Sequence, residues 1–210
     1  AIHDAGRLVT TTEIHQDQAH AARLAPAIDA LLRTADIEAA HLSAVAISSG
    51  PGSYTGLRIG TSTAKGLCYA LQIPLVAIPT LDLMAYQLNK YNVNRAVRCP
   101  MLDARRMEVY CKVFDADLTA ISEAEAKIID SGSFINLLAQ RSVVFFGNGS
   151  AKCKTHINHS NAVYVDNVYP KASVLGEMAH VKFTNGPTEN LFSFEPFYLK
   201  DFYFKTAAKP

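Results

Sequence analysis

Ser48-Ser49-Gly50-Pro51-Gly52-Ser53-Tyr54-Thr55-Gly56 lies between an apolar run, Ala44 to Ile47, and a helix-like stretch, Leu57 to Tyr69. A turn with three glycines at a helix start leaves backbone N–H groups free, the usual construction of an anion or phosphate cradle. The alternative is a tight turn that only joins strand to helix. The cation that normally completes a cradle is not in place. A Walker A loop needs Gly-Lys-Ser/Thr after its last glycine, whereas Gly56 is followed by Leu57-Arg58, and Lys65 comes about two helical turns later. The spacing Gly50-x-Gly52-x-x-x-Gly56 is one residue too long for a dinucleotide fingerprint, and no acidic residue stands about twenty positions on. Gly52-Ser53-Tyr54-Thr55-Gly56 also lacks the Gly-x-Ser-x-Gly of a nucleophile elbow.

Downstream of the loop, the helix carries Gly60-Thr61-Ser62-Thr63-Ala64-Lys65-Gly66 at its centre. Each glycine there costs about 1 kcal/mol of helix propensity, so the run predicts close packing against another backbone. Upstream, Asp17 is positioned to cap a helix with Leu24, Ile28, Leu31 and Leu32 on one face and Pro26 bending it near Ala22. Before that helix, Arg7 to Ile14 reads as a strand following the turn His3-Asp4-Ala5-Gly6. A hairpin needs two arms and only the end of the first is in the sequence, which predicts a further strand upstream of Ala1.

Strand Leu75 to Ile78 and helix Leu81 to Leu88 complete a first half, residues 1–94. From about Arg95 the order starts again in a second half, residues 95–210. Val97 to Leu102, the turn Asp103-Ala104-Arg105-Arg106 and Met107 to Phe114 form a hairpin. A strand Ala126 to Ile129, a helix Phe134 to Gln140, an apolar strand Val143 to Phe146, Gly147-Asn148-Gly149 and a helix near Ala151 follow. The repeat is one of topology, with negligible identity between halves. Two mixed sheets with flanking helices, the first strand missing, describe the duplicated ribonuclease-H-like α/β fold of actin, Hsp70 and sugar kinases, with ligands in the cleft between halves. In that architecture a phosphate faces the hairpin turn of each half, and here Arg105 puts bulk there.

Composition excludes several classes. The 210 residues are 49% hydrophobic, enough for a core, and 20 Lys plus Arg against 19 Asp plus Glu give no net charge that draws the chain to nucleic acid. Cys68, Cys99, Cys111 and Cys153 have no paired spacing, which fits a reducing compartment and a cytoplasmic protein. The most apolar stretch, Leu67 to Leu88, is interrupted by Pro74, Pro79 and Asp82 and does not read as a membrane span.

Ser49-Gly50-Pro51-Gly52-Ser53-Tyr54-Thr55-Gly56-Leu57-Arg58-Ile59-Gly60, Lys65-Gly66, Asp103-Ala104-Arg105-Arg106 with Glu108-Val109-Tyr110, and Glu195-Pro196-Phe197-Tyr198-Leu199-Lys200 together resemble the bacterial TsaB (YeaZ) family. The resemblance spans nearly the whole chain. It implies a non-catalytic subunit of the machinery that makes N6-threonylcarbamoyladenosine at position 37 of tRNA, paired with the catalytic homologue TsaD and joined by the ATPase TsaE. It implies tRNA contact through the complex, no cofactor on this chain alone, and ATP or ADP with Mg in the assembly. It also implies that the helices corresponding to Asp17 to Arg33 and Leu57 to Tyr69 pack against a partner, or against a second copy in a homodimer. Leu24, Ile28, Leu57, Thr61, Ala64, Lys65 and Cys68 are accordingly expected at the partner surface. Gly50, Gly52, Ser53, Tyr54, Thr55, Gly56, Arg58, Asp103, Arg105 and Arg106 are the expected motif and cleft residues.

The competing class is a stand-alone enzyme of this fold, an ATP-dependent transferase or a glycoprotease-like peptidase. Metal-binding relatives carry His-x-x-x-His, a spacing found nowhere in this chain. Cys153, His156 and His159 fall within seven residues and read either as metal ligands or as a loop or helix end. His20 reads as packing or interface, and the Asp103–Glu108 charges as a solvated turn or as a cleft wall. Lys200, Lys205 and Lys209, interleaved with Phe202, Tyr203 and Phe204, read as a tRNA contact or as a soluble end.

Overall fold

The computed structural model describes residues 1–15, 20–89 and 96–200. Ala5 and Gly6, at φ 46° and 79°, turn β1 (Ile2–Asp4) into β2 (Arg7–Thr10), an antiparallel hairpin. Positive φ at both central residues matches the right-handed twist of paired strands. The strand expected from Arg7 to Ile14 thus ends at Thr10, and the Asp17 cap lies outside the described residues. Helix α1 (His20–Ala35) runs through Pro26. Next come β3 (Val45–Ser48), α2 (Tyr54–Leu71), β4 (Leu75–Ile78) and α3 (Thr80–Asn89). β3 and β4 pair in parallel from Val45↔Leu75 to Ser48↔Ile78, an arrangement that needs a crossover such as α2.

The second half contains β5 (Val97–Asp103), β6 (Glu108–Cys111), β7 (Glu125–Ile128), a single turn α4 (Ile135–Leu138), β8 (Val143–Phe146), a 3-10 turn Ala151–Thr155, β9 (Ala162–Val165) and α5 (Ala172–Asn185). Its strands form one mixed sheet in the order β7-β6-β5-β8-β9, with β5 central. β8 is buried on both faces, which is why Val143-Val144-Phe145-Phe146 is uniformly apolar. Phe145 packs with Cys99, Met101 and Leu138, while Phe146 joins Leu81, Met84 and Leu88 on the other side. Each buried phenylalanine contributes about 1.5–3 kcal/mol.

The first half repeats this plan in pieces. Hairpin β1-β2 corresponds to β6-β7, and the parallel pair β3-β4 to β8-β9, but no described residue fills the place of β5 between them. The α/β fold with mixed sheets and flanking helices is as expected, the first half's strands standing as two pairs beside the five-stranded sheet of the second. Helix α5 packs across β1, β2, β3 and β4 and holds both pairs in one layer. After it, Glu189 bridges Leu75 of β4. Helix α5 and Glu189 thus pack with the first half, although chain order places them in 95–210. Among the described residues no helix is long and apolar enough to cross a membrane.

Candidate functional site

The glycine loop is fixed by its own hydrogen bonds. Ser48 Oγ and Thr80 Oγ1 lie 2.6 Å apart, the Gly50 amide donates to Thr80 Oγ1 at 3.1 Å, and the Thr80 amide donates back to Gly50 O at 2.9 Å. The Ser49 amide is taken by Ile78 O, and Ser49 O accepts from the Phe197 amide at 2.7 Å. Ser53 caps α2, its Oγ accepting from the Gly56 amide at 3.4 Å. The amides of Ser49, Gly50 and Gly56 are therefore engaged within the chain, as in the tight turn that is the alternative to a cradle. Gly50 has φ 110°, and a Cβ there would come within 2.5 Å of Phe197 O. Only glycine lets the C-terminal segment approach this closely.

That segment gathers the sequence motifs. Tyr198 stacks at 5.2 Å from Tyr54, Arg58 Nη1 donates to the Tyr54 hydroxyl at 2.7 Å, and Lys65 Nζ donates to Phe192 O and Phe194 O at 3.2 and 3.1 Å. Lys200 then pairs with Glu108 across the molecule. The Glu108 turn is held from below by Lys152, whose ammonium reaches Asp103 Oδ1, Arg106 O at 2.8 Å and Glu108 O at 2.7 Å. Three donors meet three acceptors, so the Asp103 carboxylate anchors the turn. Asp103 Oδ1 also accepts from the Arg105 amide at 3.0 Å, and Arg105 and Arg106 adopt left-handed φ of 68° and 48°. Both arginines are exposed and neither lines the cleft, which corrects their placement as a cleft wall.

Between the halves lies a hollow of about 440 Å³, lined by Ile47, Ser48, Pro51, Gly52, Ser53, Gly56, Leu57, Gly60 and Thr80 from one side and Leu102, Asn148, Val168, Tyr169 and Pro170 from the other. Asn148 Oδ1 accepts from the Asp103 amide at 3.0 Å, so its oxygen is already engaged. No residue of this lining is an Asp, Glu, His, Cys, Lys or Arg. The walls offer apolar surface, hydroxyls, the Tyr169 phenol and one amide.

The residues expected at a partner surface sit elsewhere. Thr61, Ala64 and Cys68 are 6%, 6% and 1% exposed, with Ala64 and Cys68 packed on Ile47, Leu75 and Ala77 of the same chain. This placement is corrected: small side chains on that side of α2 let the helix lie close to β3 and β4. Leu24 and Ile28 are half-buried and belong to the inward stripe of α1, Leu57 lines the hollow, and Lys65 is tied to the C-terminal segment. The outer faces of α1 and α2 instead present Ala22, Ala25, Ala30, Thr55, Ser62, Gly66 and Tyr69, the last 70% exposed. A Cβ added at Gly66 would meet no atom within 4 Å.

Cys153 is buried in the second-half core, its Sγ donating to Gly149 O at 3.2 Å, and burial pushes its thiol up to about 11. His156 lies beside Thr155, and His159 Nδ1 accepts from the Asn161 amide. Among the described residues no group of three His, Cys, Asp or Glu is placed to hold a metal. The His20 side chain and Lys205, Lys209, Phe202, Tyr203 and Phe204 lie outside the described residues. Sequence reasoning missed Lys152, whose only signal was its position after Gly147-Asn148-Gly149.

A family model described as TsaD: tRNA N6-adenosine threonylcarbamoyltransferase matches residues 9–207. The chain is 37% identical over 95 residues to the tRNA threonylcarbamoyladenosine biosynthesis protein TsaB of Bacillus subtilis, covering 45% of this chain and 40% of that protein. It is 27% identical over 195 residues to the protein of the same name from Haemophilus influenzae, covering 87% and 80%. The match thus spans less than half the length of the Bacillus relative. Among solved structures, an uncharacterized protein with similarity to peptidase YeaZ from Pseudomonas aeruginosa superposes with a TM-score of 0.75 at 24% identity, over 87% of this chain and 85% of that one. YeaZ from the same organism gives 0.72 at 24% identity, over 86% and 85%. At that identity the likeness is one of fold.

Proposed function

The chain belongs to the family described as TsaD, tRNA N6-adenosine threonylcarbamoyltransferase, with TsaB (YeaZ) proteins as its kin there, and on that premise we propose that it is a non-catalytic subunit in threonylcarbamoyladenosine biosynthesis. The observation that carries this reading is the cleft, whose lining among the described residues holds no Asp, Glu, His, Cys, Lys or Arg on either side. A fold that elsewhere places acid–base and metal-binding side chains between its halves here fills that space with hydroxyls and apolar carbons, and the carboxylate of the second hairpin is locked to Lys152. In this reading the chain positions a partner and makes no bond. The partner is the catalytic homologue TsaD, with the ATPase TsaE joining the pair, tRNA held through the assembly, and ATP or ADP with Mg bound there rather than on this chain. A second copy occupies the same face when the partner is absent.

The docking face is the outer side of α1 and α2. Gly66 supports this: the helix carries a glycine in its interior, yet among the described residues nothing outside its own helical turns comes near enough to need one. A partner backbone would. The test is Gly66→Trp, whose side chain enters open space in the isolated chain. We expect a melting temperature no lower than that of the unaltered chain and loss of the complex with the catalytic homologue in size-exclusion chromatography. An undiminished complex rejects the face, and threonylcarbamoyl transfer by the purified chain alone rejects the non-catalytic role.

A further inference from the structure

A second hollow, of about 300 Å³, opens on the other side of α2, where the C-terminal segment crosses it. Tyr54, Arg58, Thr61, Ser62 and Lys65 line it from the helix, and Glu195, Pro196 and Tyr198 from the segment. Positions 54, 58, 61, 62 and 65 fall on one helical face, so α2 delivers two cations and three hydroxyls to a single surface. Arg58 is exposed, with its guanidinium 5.3 Å from the Tyr54 ring centre and one of its amino groups on the Tyr54 hydroxyl. Lys65 spends two of its three donors on carbonyls of the segment. On the floor, Thr61 is 6% exposed and its Oγ1 is one of two buried side-chain polar atoms among the described residues with no hydrogen-bond partner. A hydroxyl left in that state costs stability until something supplies its bond.

We propose that this hollow binds a singly charged carboxylate, with Arg58 gripping the two oxygens, Lys65 adding charge and Thr61 donating from the floor. The planar fork of arginine matches a carboxylate. Glu195 on the rim sets the limit on charge, since its own negative charge opposes a doubly charged phosphate. The size of the hollow is at the lower end for small-molecule sites and suits an organic acid or an acidic side chain better than a bare ion. The cleft between the halves takes no part in this site; Ser62 borders both the hollow and the docking face, and the variants below, at Arg58, Thr61 and Glu195, lie off that face.

The experiment titrates the full chain with propionate, with N-acetyl-glutamate amide and with inorganic phosphate, following backbone amide resonances of α2. Saturable shifts with a carboxylate are expected. Binding of propionate alone identifies a free acid as the source, whereas binding of the capped glutamate identifies a side chain of another protein. Arg58→Ala is expected to weaken binding about tenfold without lowering the melting temperature, because Arg58 is exposed. Thr61→Val, nearly equal in volume, is expected to weaken it about threefold while raising the stability of the unliganded chain. Glu195→Gln is expected to admit phosphate. Shifts that ignore Arg58→Ala, phosphate binding to the unaltered chain as tightly as propionate, or no saturation with either carboxylate would each overturn the proposal.

Discussion

Replacing Gly66 with alanine isolates the cost of a glycine inside α2 from every contact. The residue lies five positions from the helix end, is exposed, and its added Cβ would have no neighbour within 4 Å. No steric term opposes the change, so the helix-propensity difference of about 1 kcal/mol should appear almost whole as stability. For a chain of this length that corresponds to a rise of about 2–4 °C in melting temperature. Calorimetry on the isolated chain, diluted until it is monomeric, reads it directly. The same methyl group on the docking face should weaken association with the catalytic homologue, measured by titration calorimetry, because a partner backbone close enough to require glycine has no room for it. A variant that melts lower refutes the open-space geometry. One that melts higher and binds as well as before refutes the account of why glycine is there.

Three further outcomes follow from the packing. Lys152→Met removes the ammonium that joins Asp103 to the carbonyls of Arg106 and Glu108, and should lower stability by about 1–3 kcal/mol in urea titration; an unchanged midpoint would mean the turn stands without it. Gly50→Ala forces a Cβ onto Phe197 O at left-handed φ and should cost about 2 kcal/mol or more, with proteolysis of the released C-terminal segment as the readout. Burial raises the Cys153 thiol from its ordinary 9.0 to about 11 and the Tyr164 phenol from 10.0 to about 12. Both groups hold their protons longer in the folded chain, so their contribution is complete below pH 9 and is lost as pH climbs through 11 to 12. The melting temperature should decline across that window, and a flat profile there would contradict the burial.

The strands that were easiest to read are those whose chemistry is decided locally. Val143 to Phe146 has four apolar residues because both faces of β8 are covered, and the glycine loop declares the end of β3. Helix α5 was not read, since only Val174, Leu175 and Ala179 are buried on it and its apolar stripe is short. Ala162 to Val165 was missed for a related reason: a four-residue, half-covered edge strand has too little contrast to stand out. The helix expected over Phe134 to Gln140 shortens to the single turn Ile135–Leu138, and the helix expected near Ala151 is a 3-10 turn, because neither stretch has the length to sustain an α-helix. At the candidate site, the motifs were visible but their grouping was not. Small residues on α2 look alike whether they face solvent or the helix's own sheet, and only tertiary contact separates Ala64, which packs with Ile47 and Leu75, from Gly66, whose Cβ position meets no described residue outside its own helical turns. Lys152 and Glu108 are 44 positions apart, and no local pattern announces such a pairing.

The run from Leu191 to Lys200 fastens to both lobes: Phe197 to Ser49 on one, Lys200 to Glu108 on the other. A two-lobed enzyme works by swinging open to admit substrate and shutting to react, and a bolt drawn across both lobes forbids that cycle. Here the run ties the two lobes at both ends, and cutting the chain before Leu191 should loosen one against the other.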